Sequence, residues 1–227
     1  KYSTDFKQKF LDSVKELFRD ILLSNDPESG NSAMTVLTNF MKKEGAKEIT
    51  KPIQDFLLNK LSMNEEVIND GNISELLKIS EIFDIKKDMA IKIYEEKYKN
   101  NAAQQFNQYY KDVMSIIVLY SSQKFKNNEL IEIYKNLSGS VANTEELSTD
   151  KEALKTKLRD SFFAKFAANE KETELIEDPE SIATILQMFS EYLSDVKKIE
   201  QMKYQQFNSV YSCLNELSKN KQVSATA

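Results

Sequence analysis

The sequence predicts an all-α protein, an irregular multi-helix bundle of about 8–9 helices that includes a long C-terminal helix. Three observations carry this expectation. Apolar residues recur at steps of three and four along almost the whole chain. Only four Gly and three Pro interrupt its 227 residues. Short clusters of Asn, Asp, Gly and Ser separate one periodic segment from the next.

The first helix carries Phe6, Phe10, Leu11, Val14, Leu17, Phe18, Ile21 and Leu22 as one stripe. Ser3 or Thr4 caps it, and Asn25-Asp26-Pro27 with Gly30 ends it. A short second helix turns Met34, Leu37, Phe40 and Met41 inward and stops at Gly45. Thr50 is expected to cap a third, with Pro52 in its first turn and Ile53, Phe56, Leu57 and Leu61 facing the core. The turn Asn69-Asp70-Gly71-Asn72 precedes a fourth, marked by Leu76, Leu77, Ile79, Ile82 and Phe83. Asp84 is expected to cap a fifth bearing Ile85, Met89, Ile93 and Tyr94. Asn100-Asn101 interrupts before a sixth with Phe106, Tyr109, Val113, Met114, Ile117 and Tyr120 on one side, and a seventh runs near Glu129 to Leu137.

The most loop-like stretch, 140–148, reads as a linker between an N-terminal bundle, 1–139, and a C-terminal helical hairpin, 149–218, packed on it. Thr149 and Glu152 match a capping box opening a helix with Leu154, Leu158, Phe162 and Phe166. Asp178 then caps, and Pro179 opens, a final helix with Ile182, Ile185, Leu186, Phe189, Leu193, Val196 and Ile199. The stripe resumes at Phe207, Val210, Leu214 and Leu217, so an unbroken helix of about 40 residues would span ~60 Å. Its register slips where Lys203 and Gln206 stand at apolar positions, which predicts a bend there. The polar, small residues 219–227 read as a disordered tail. Gln104-Gln105-Phe106-Asn107 recurs as Gln205-Gln206-Phe207-Asn208, but the flanks diverge and no solenoid period is present.

Composition removes whole classes of function. There is no His, hence no Ser-His-Asp or Cys-His catalysis and no His-ligated metal. One Cys rules out an internal disulfide and any multi-Cys metal centre. The Gly residues are too scattered to cradle a phosphate. The chain has a net charge of −5 and just two Arg, Arg19 and Arg159, a poor composition for nucleic-acid binding. Its longest apolar run, Ile116-Ile117-Val118-Leu119-Tyr120, falls far short of the roughly 20 residues of a membrane helix. We therefore expect no enzyme activity, no cofactor, no metal and no nucleic-acid partner.

The remaining polar features have modest readings. The acidic stretch Glu170 to Glu180 suits a solvated connector whose negative charge favours the helix that follows, or else a surface for a cation or a basic partner. The pairs Glu65-Glu66, Glu95-Glu96 and Glu145-Glu146 are sequence neighbours, which on a helix point about 100° apart and cannot face each other across a cleft. Cys213 falls on an apolar stripe as a buried thiol. Asn72-Ile73-Ser74 and Asn136-Leu137-Ser138 match the glycosylation pattern.

The candidate protein-binding residues are aromatic. Tyr109 and Tyr110 are adjacent, so both cannot face one core and one ring is left at a boundary or exposed. Tyr204, beside Gln205, Gln206 and Asn208, sits in a polar neighbourhood where the last stripe slips. Tyr109, Tyr110, Tyr204 and Gln205 are therefore the expected contact residues, because Tyr supplies apolar area together with a hydroxyl.

In character the chain resembles the small all-helical surface antigens of blood-borne pathogens. The resemblance rests on Lys/Asn/Glu-rich helices without His, Trp or a disulfide framework, a start at Lys1 rather than Met, and a polar end from Ser218 to Ala227. Ser224-Ala225-Thr226-Ala227 looks like the approach to the glycolipid anchor of Babesia merozoite surface antigens. The tract Phe106-Asn107-Gln108-Tyr109-Tyr110-Lys111-Asp112 is similar to one in helical outer-surface lipoproteins of Borrelia. The resemblance implies a non-catalytic antigen or adhesin at the cell surface, with its anchor outside this sequence, that binds a host receptor or serum protein. The alternative is an intracellular, cytoplasmic adaptor or scaffold domain that receives partner helices.

Overall fold

The computed structural model describes residues 3–23, 35–36, 38–42, 47–61, 68, 71–101, 103–168, 179–194, 211 and 215. They are helical almost throughout, and the all-α class holds. The chain divides into two compact units, Lys1–Lys97 and Tyr98–Ala227.

In the first unit, α1 (Thr4–Leu23) starts where Ser3 accepts from the Phe6 amide with its hydroxyl (3.2 Å) and from the Lys7 amide with its carbonyl (3.1 Å). Val14 and Phe18 are buried, with the Phe18 ring edge-on to Phe83 at 5.7 Å. Phe6 is half exposed instead of buried; it stacks along Phe10, which in turn stacks on Phe40 at 4.4 Å. α2 (Lys47–Phe56) widens into a π-helical turn, Leu57–Leu61. It begins earlier than its Thr-Pro signal suggests. Ile49 joins Ile53, Phe56 and Leu57 in the core, so Thr50 and Pro52 lie inside the helix and Pro52 withholds one ladder hydrogen bond.

α3 (Ile73–Ile82) and α4 (Lys86–Ile93) pack on each other, and α1 packs on α2 and α3. Asp84 does not cap α4. It takes a left-handed conformation, φ 56°, at the end of α3. Its amide reaches the Glu81 carbonyl (3.2 Å) and that of Ile85 the Ser80 carbonyl (2.9 Å), the paired bonds of a Schellman ending. Gln54 Nε2 donates to the Phe83 carbonyl (2.7 Å) and ties α2 to the same corner. α4 runs on into a second π-helical turn, Tyr94–Tyr98, in which the division between the units falls.

The second unit contains β1 (Gln105–Phe106), α5 (Gln108–Lys124), α6 (Asn127–Gly139), β2 (Val141–Ala142), α7 (Glu145–Ala168) and α8 (Pro179–Ser194). α7 is its axis, with α5 and α6 packed on it, and α8 packs on α6. β1 and β2 form a two-residue parallel pairing, Gln105 opposite Val141 and Phe106 opposite Ala142. Asn107 caps α5 by accepting from the Tyr110 amide (3.0 Å).

The expected linker at 140–148 is ordered structure. Ser140 is buried and bonds the Leu137 carbonyl (2.7 Å), 141–142 pair with 105–106, and Thr144 caps α7 through the Leu147 amide (3.2 Å). Thr149 lies inside α7, its hydroxyl turned back to the Glu145 carbonyl (3.0 Å), so the helix starts more than a turn before the expected cap. The division falls at 97/98 instead of 139/140, because α5 and α6 pack on α7 and so belong with it. α8 is described over 16 residues; its expected continuation to 217 and the tail 219–227 lie outside the described residues, apart from helical residues 211 and 215. Among the described residues no helix is long and apolar enough to cross a membrane.

Candidate functional site

Two features of the second unit stand out, a polar cluster in its interior and an apolar stripe on its outside. The cluster follows from the inward face of α7. Leu154, Leu158 and Phe162 form the expected row, but Lys155, Arg159 and Phe163 form a second buried row beside it. The Phe162-Phe163 doublet is the sequence signal for that second row, since steps of four back from Phe163 reach Arg159 and Lys155.

Glu191 of α8 is the hub. The Tyr134 hydroxyl of α6 donates to its Oε2, and Gln187 Nε2 (3.0 Å) and Lys155 Nζ (3.4 Å) donate to its Oε1. Lys155 also reaches Glu152 (3.2 Å) and lies 5.7 Å from the Tyr134 ring centroid. The Arg159 guanidinium, 4% exposed, sits 5.0 Å from the Tyr192 ring centroid, with Asp160 Oδ1 3.7 Å from its Nε. Among the described residues its Nε and Nη2 have no hydrogen-bond partner.

Burial, followed by the Glu191 carboxylate, pushes the Tyr134 phenol well above its ordinary value. Burial works against ionisation of Glu191 too, but the bonds from Tyr134 and Gln187 and the charge of Lys155 outweigh it and hold the carboxyl below its usual range. Tyr192 is raised by burial and by Asp160. At neutral pH the Tyr134–Glu191 pair therefore keeps its proton on the phenol and its charge on the carboxylate. It is a clamp that holds α6, α7 and α8 in register.

The candidate contact residues separate. Tyr110 is 1% exposed, stacked on Tyr98 (4.2 Å, 11° between ring planes) and tilted against Phe106 (5.4 Å). It is a core residue and leaves the proposed contact set, because the cap at Asn107 starts α5 in a register that turns it inward. Tyr109, about 100° around the helix from it, is partly exposed. Tyr204 and Gln205 lie outside the described residues. Tyr109 and Tyr120, expected on the core side with Val113, Met114 and Ile117, are only partly buried, and beside them lie Asp112 and Ile116, also partly exposed, and Leu119, 70% exposed. At about 100° per residue they form one stripe with Leu119 and Asp112 turned away from Tyr110, Val113, Met114 and Ile117, and with Tyr109 and Tyr120 at its edge beside Val113. α5 thus has apolar residues on two faces, and only one is in the core.

Other sequence candidates are settled locally. Asn136 is buried mid-helix, its Nδ2 donating to the Lys99 carbonyl (2.6 Å), which makes it no glycosylation acceptor. Asn72 sits at the start of α3. Glu95 and Glu96 are exposed on the second π turn, and Glu145 and Glu146 on the first turn of α7. The acidic stretch 170–178 and Cys213 lie outside the described residues, and among the described residues no three His, Cys, Asp or Glu side chains group as metal ligands. No protein-family model matches the chain, nor does any curated protein or solved structure.

Proposed function

We propose that the chain is a non-catalytic helical binding protein of the surface-antigen or adhesin kind, which engages a host protein through the outer face of α5. The observation that carries the reading is the stripe Tyr109, Ile116, Leu119 and Tyr120, partly exposed throughout and 70% exposed at Leu119. A large apolar side chain held out on a rigid helix beside two tyrosines is the composition of a binding anchor. Gln108, Ser115 and Ser122 beside it are exposed and polar, as the rim of a contact patch is.

The test is adhesion of the fluorescently labelled chain to intact host blood cells. Leu119→Lys combined with Tyr109→Ala is expected to remove binding and to leave the melting temperature unchanged within about 2 °C, since both side chains lie outside the core. Adhesion that survives this double substitution overturns the reading. Antibody labelling of intact source cells separates it from the intracellular adaptor alternative: a surface antigen is labelled without permeabilisation.

A further inference from the structure

We infer that the occupant of the α5 face is an amphipathic α-helix of the partner protein that sets a Lys or Arg against Asp112; this rests on the binding role proposed above. The outward residues of α5 are Tyr109, Asp112, Ile116, Leu119 and Gln123. Their spacing of three, four, three and four averages 3.5 residues, the period on which a second helix follows the first as a left-handed pair. The seam from Tyr109 to Gln123 rises ~21 Å, the length of about four turns of a partner helix. Ile116 and Leu119 supply its apolar centre, with Tyr120 along its flank.

Asp112 selects the chemistry of the partner. It is the one charged side chain in the seam, and its carboxylate takes a bond from Gln108 Nε2 (2.8 Å). The neighbouring cation, Lys111, makes its ion pair with Asp150 at 2.5 Å and feels Asp112 only as a weaker charge. Among the described residues no ion pair is made by Asp112. A partner lying over Ile116 and Leu119 withdraws that carboxylate from water, and an unpaired covered charge is strongly unfavourable, so the matching position must be basic. A lipid surface fits less well, since membrane-facing helices carry Lys and Arg beside their apolar stripe and this seam carries an acid.

The experiment is a displayed library of single helices on a fixed three-heptad scaffold, selected against the full chain and counter-selected against its Leu119→Lys variant. Enriched helices should carry Lys or Arg at one interfacial position, with about a tenfold loss of affinity when that residue becomes Glu. Against Asp112→Lys the preference at that position should invert to Glu or Asp. Enrichment on this face with no basic preference, or a preference that Asp112→Lys does not invert, overturns the inference. So does a selection that yields no helix sensitive to Leu119→Lys. Cell adhesion that depends on Leu119 would in those cases leave the binding role standing, and loss of that adhesion result would remove both.

Discussion

The two units are built on different principles. Among the described residues of 1–97, Ser80 is the single polar side chain in the core, and its hydroxyl bonds the Leu76 carbonyl of its own helix at 2.5 Å. In 98–227 the interior holds Ser121, Asn127, Asn136, Ser140, Lys155, Arg159 and Thr184. The first unit is irregular in its backbone instead, with Pro52 inside α2, a π turn after it, and a left-handed Asp84. Among the described residues of the second the specification lies in side chains. An apolar helix face tolerates sliding by a turn. A hub such as Glu191, shared by Tyr134 and Lys155, is satisfied in one register only.

The apolar cores should nonetheless answer alike, and the largest effects belong there. Tyr110→Ala in the second unit and Phe18→Ala in the first should each cost about 3–5 kcal/mol in urea unfolding. Tyr109→Ala, one residue from Tyr110, should stay within about 0.5 kcal/mol. Equal losses for Tyr109 and Tyr110 would contradict the register of α5.

The polar hub is where the units should part. Glu191→Ala leaves the Tyr134 hydroxyl and Lys155 without their shared acceptor and should destabilise by about 1–3 kcal/mol. Ser80→Ala, which removes a bond within one helix, should cost about 1 kcal/mol or less. Replacing the hub by apolar residues together, Glu191→Leu with Lys155→Met and Tyr134→Phe, should recover most of the loss while loosening the register of α8, read as faster amide exchange there. A triple variant as unstable as Glu191→Ala would mean that the ions contribute stability as well as register.

Acid sharpens the same contrast. The folded-state pKa of Glu191 lies below its unfolded value, so its contribution is complete above the ordinary carboxylate range, near 4.3, and fades as pH falls through the folded value. The raised Tyr134 phenol has the opposite sign: its contribution is complete below about 10 and fades as the solution becomes more alkaline. The stability gap between wild type and Glu191→Gln should therefore be flat near neutrality and narrow on acidification. A gap that widens in acid would assign the wrong charge to the hub.

What the sequence disclosed follows from how each signal is encoded. Helices α1, α3, α5 and α8 were legible because apolar periodicity is a local pattern, repeated several times in each. Starts were less legible. Thr144 and Thr149 both offer hydroxyls, and the choice went to the one that brings Glu145 and Glu146 into the first turn of α7. The hub was invisible, because Tyr134, Lys155 and Glu191 are far apart in the chain and charged residues on a helix read as solvated. The outer stripe was half legible. Tyr109-Tyr110 announced that one ring must turn outward, but the side chosen depends on the Asn107 cap and on what Tyr98 stacks against.

The smallest effect tests the backbone half of the comparison. At Asp84 the chain must turn left-handed so that the Asp84 and Ile85 amides can close the end of α3. For most L-residues this conformation costs roughly 1–2 kcal/mol, and Asp tolerates it better than most. Asp84→Gly removes the crowding around the side chain but adds freedom to the unfolded chain, which takes back part of the gain. The net expectation is a stabilisation of about 0.5 kcal/mol, seen as a higher urea midpoint with an unchanged slope. Asp84→Val, branched at Cβ, should destabilise by more than Gly stabilises. If Gly and Val both lowered the midpoint, the Asp84 carboxylate itself would be holding the corner, and the first unit would share the side-chain logic of the second.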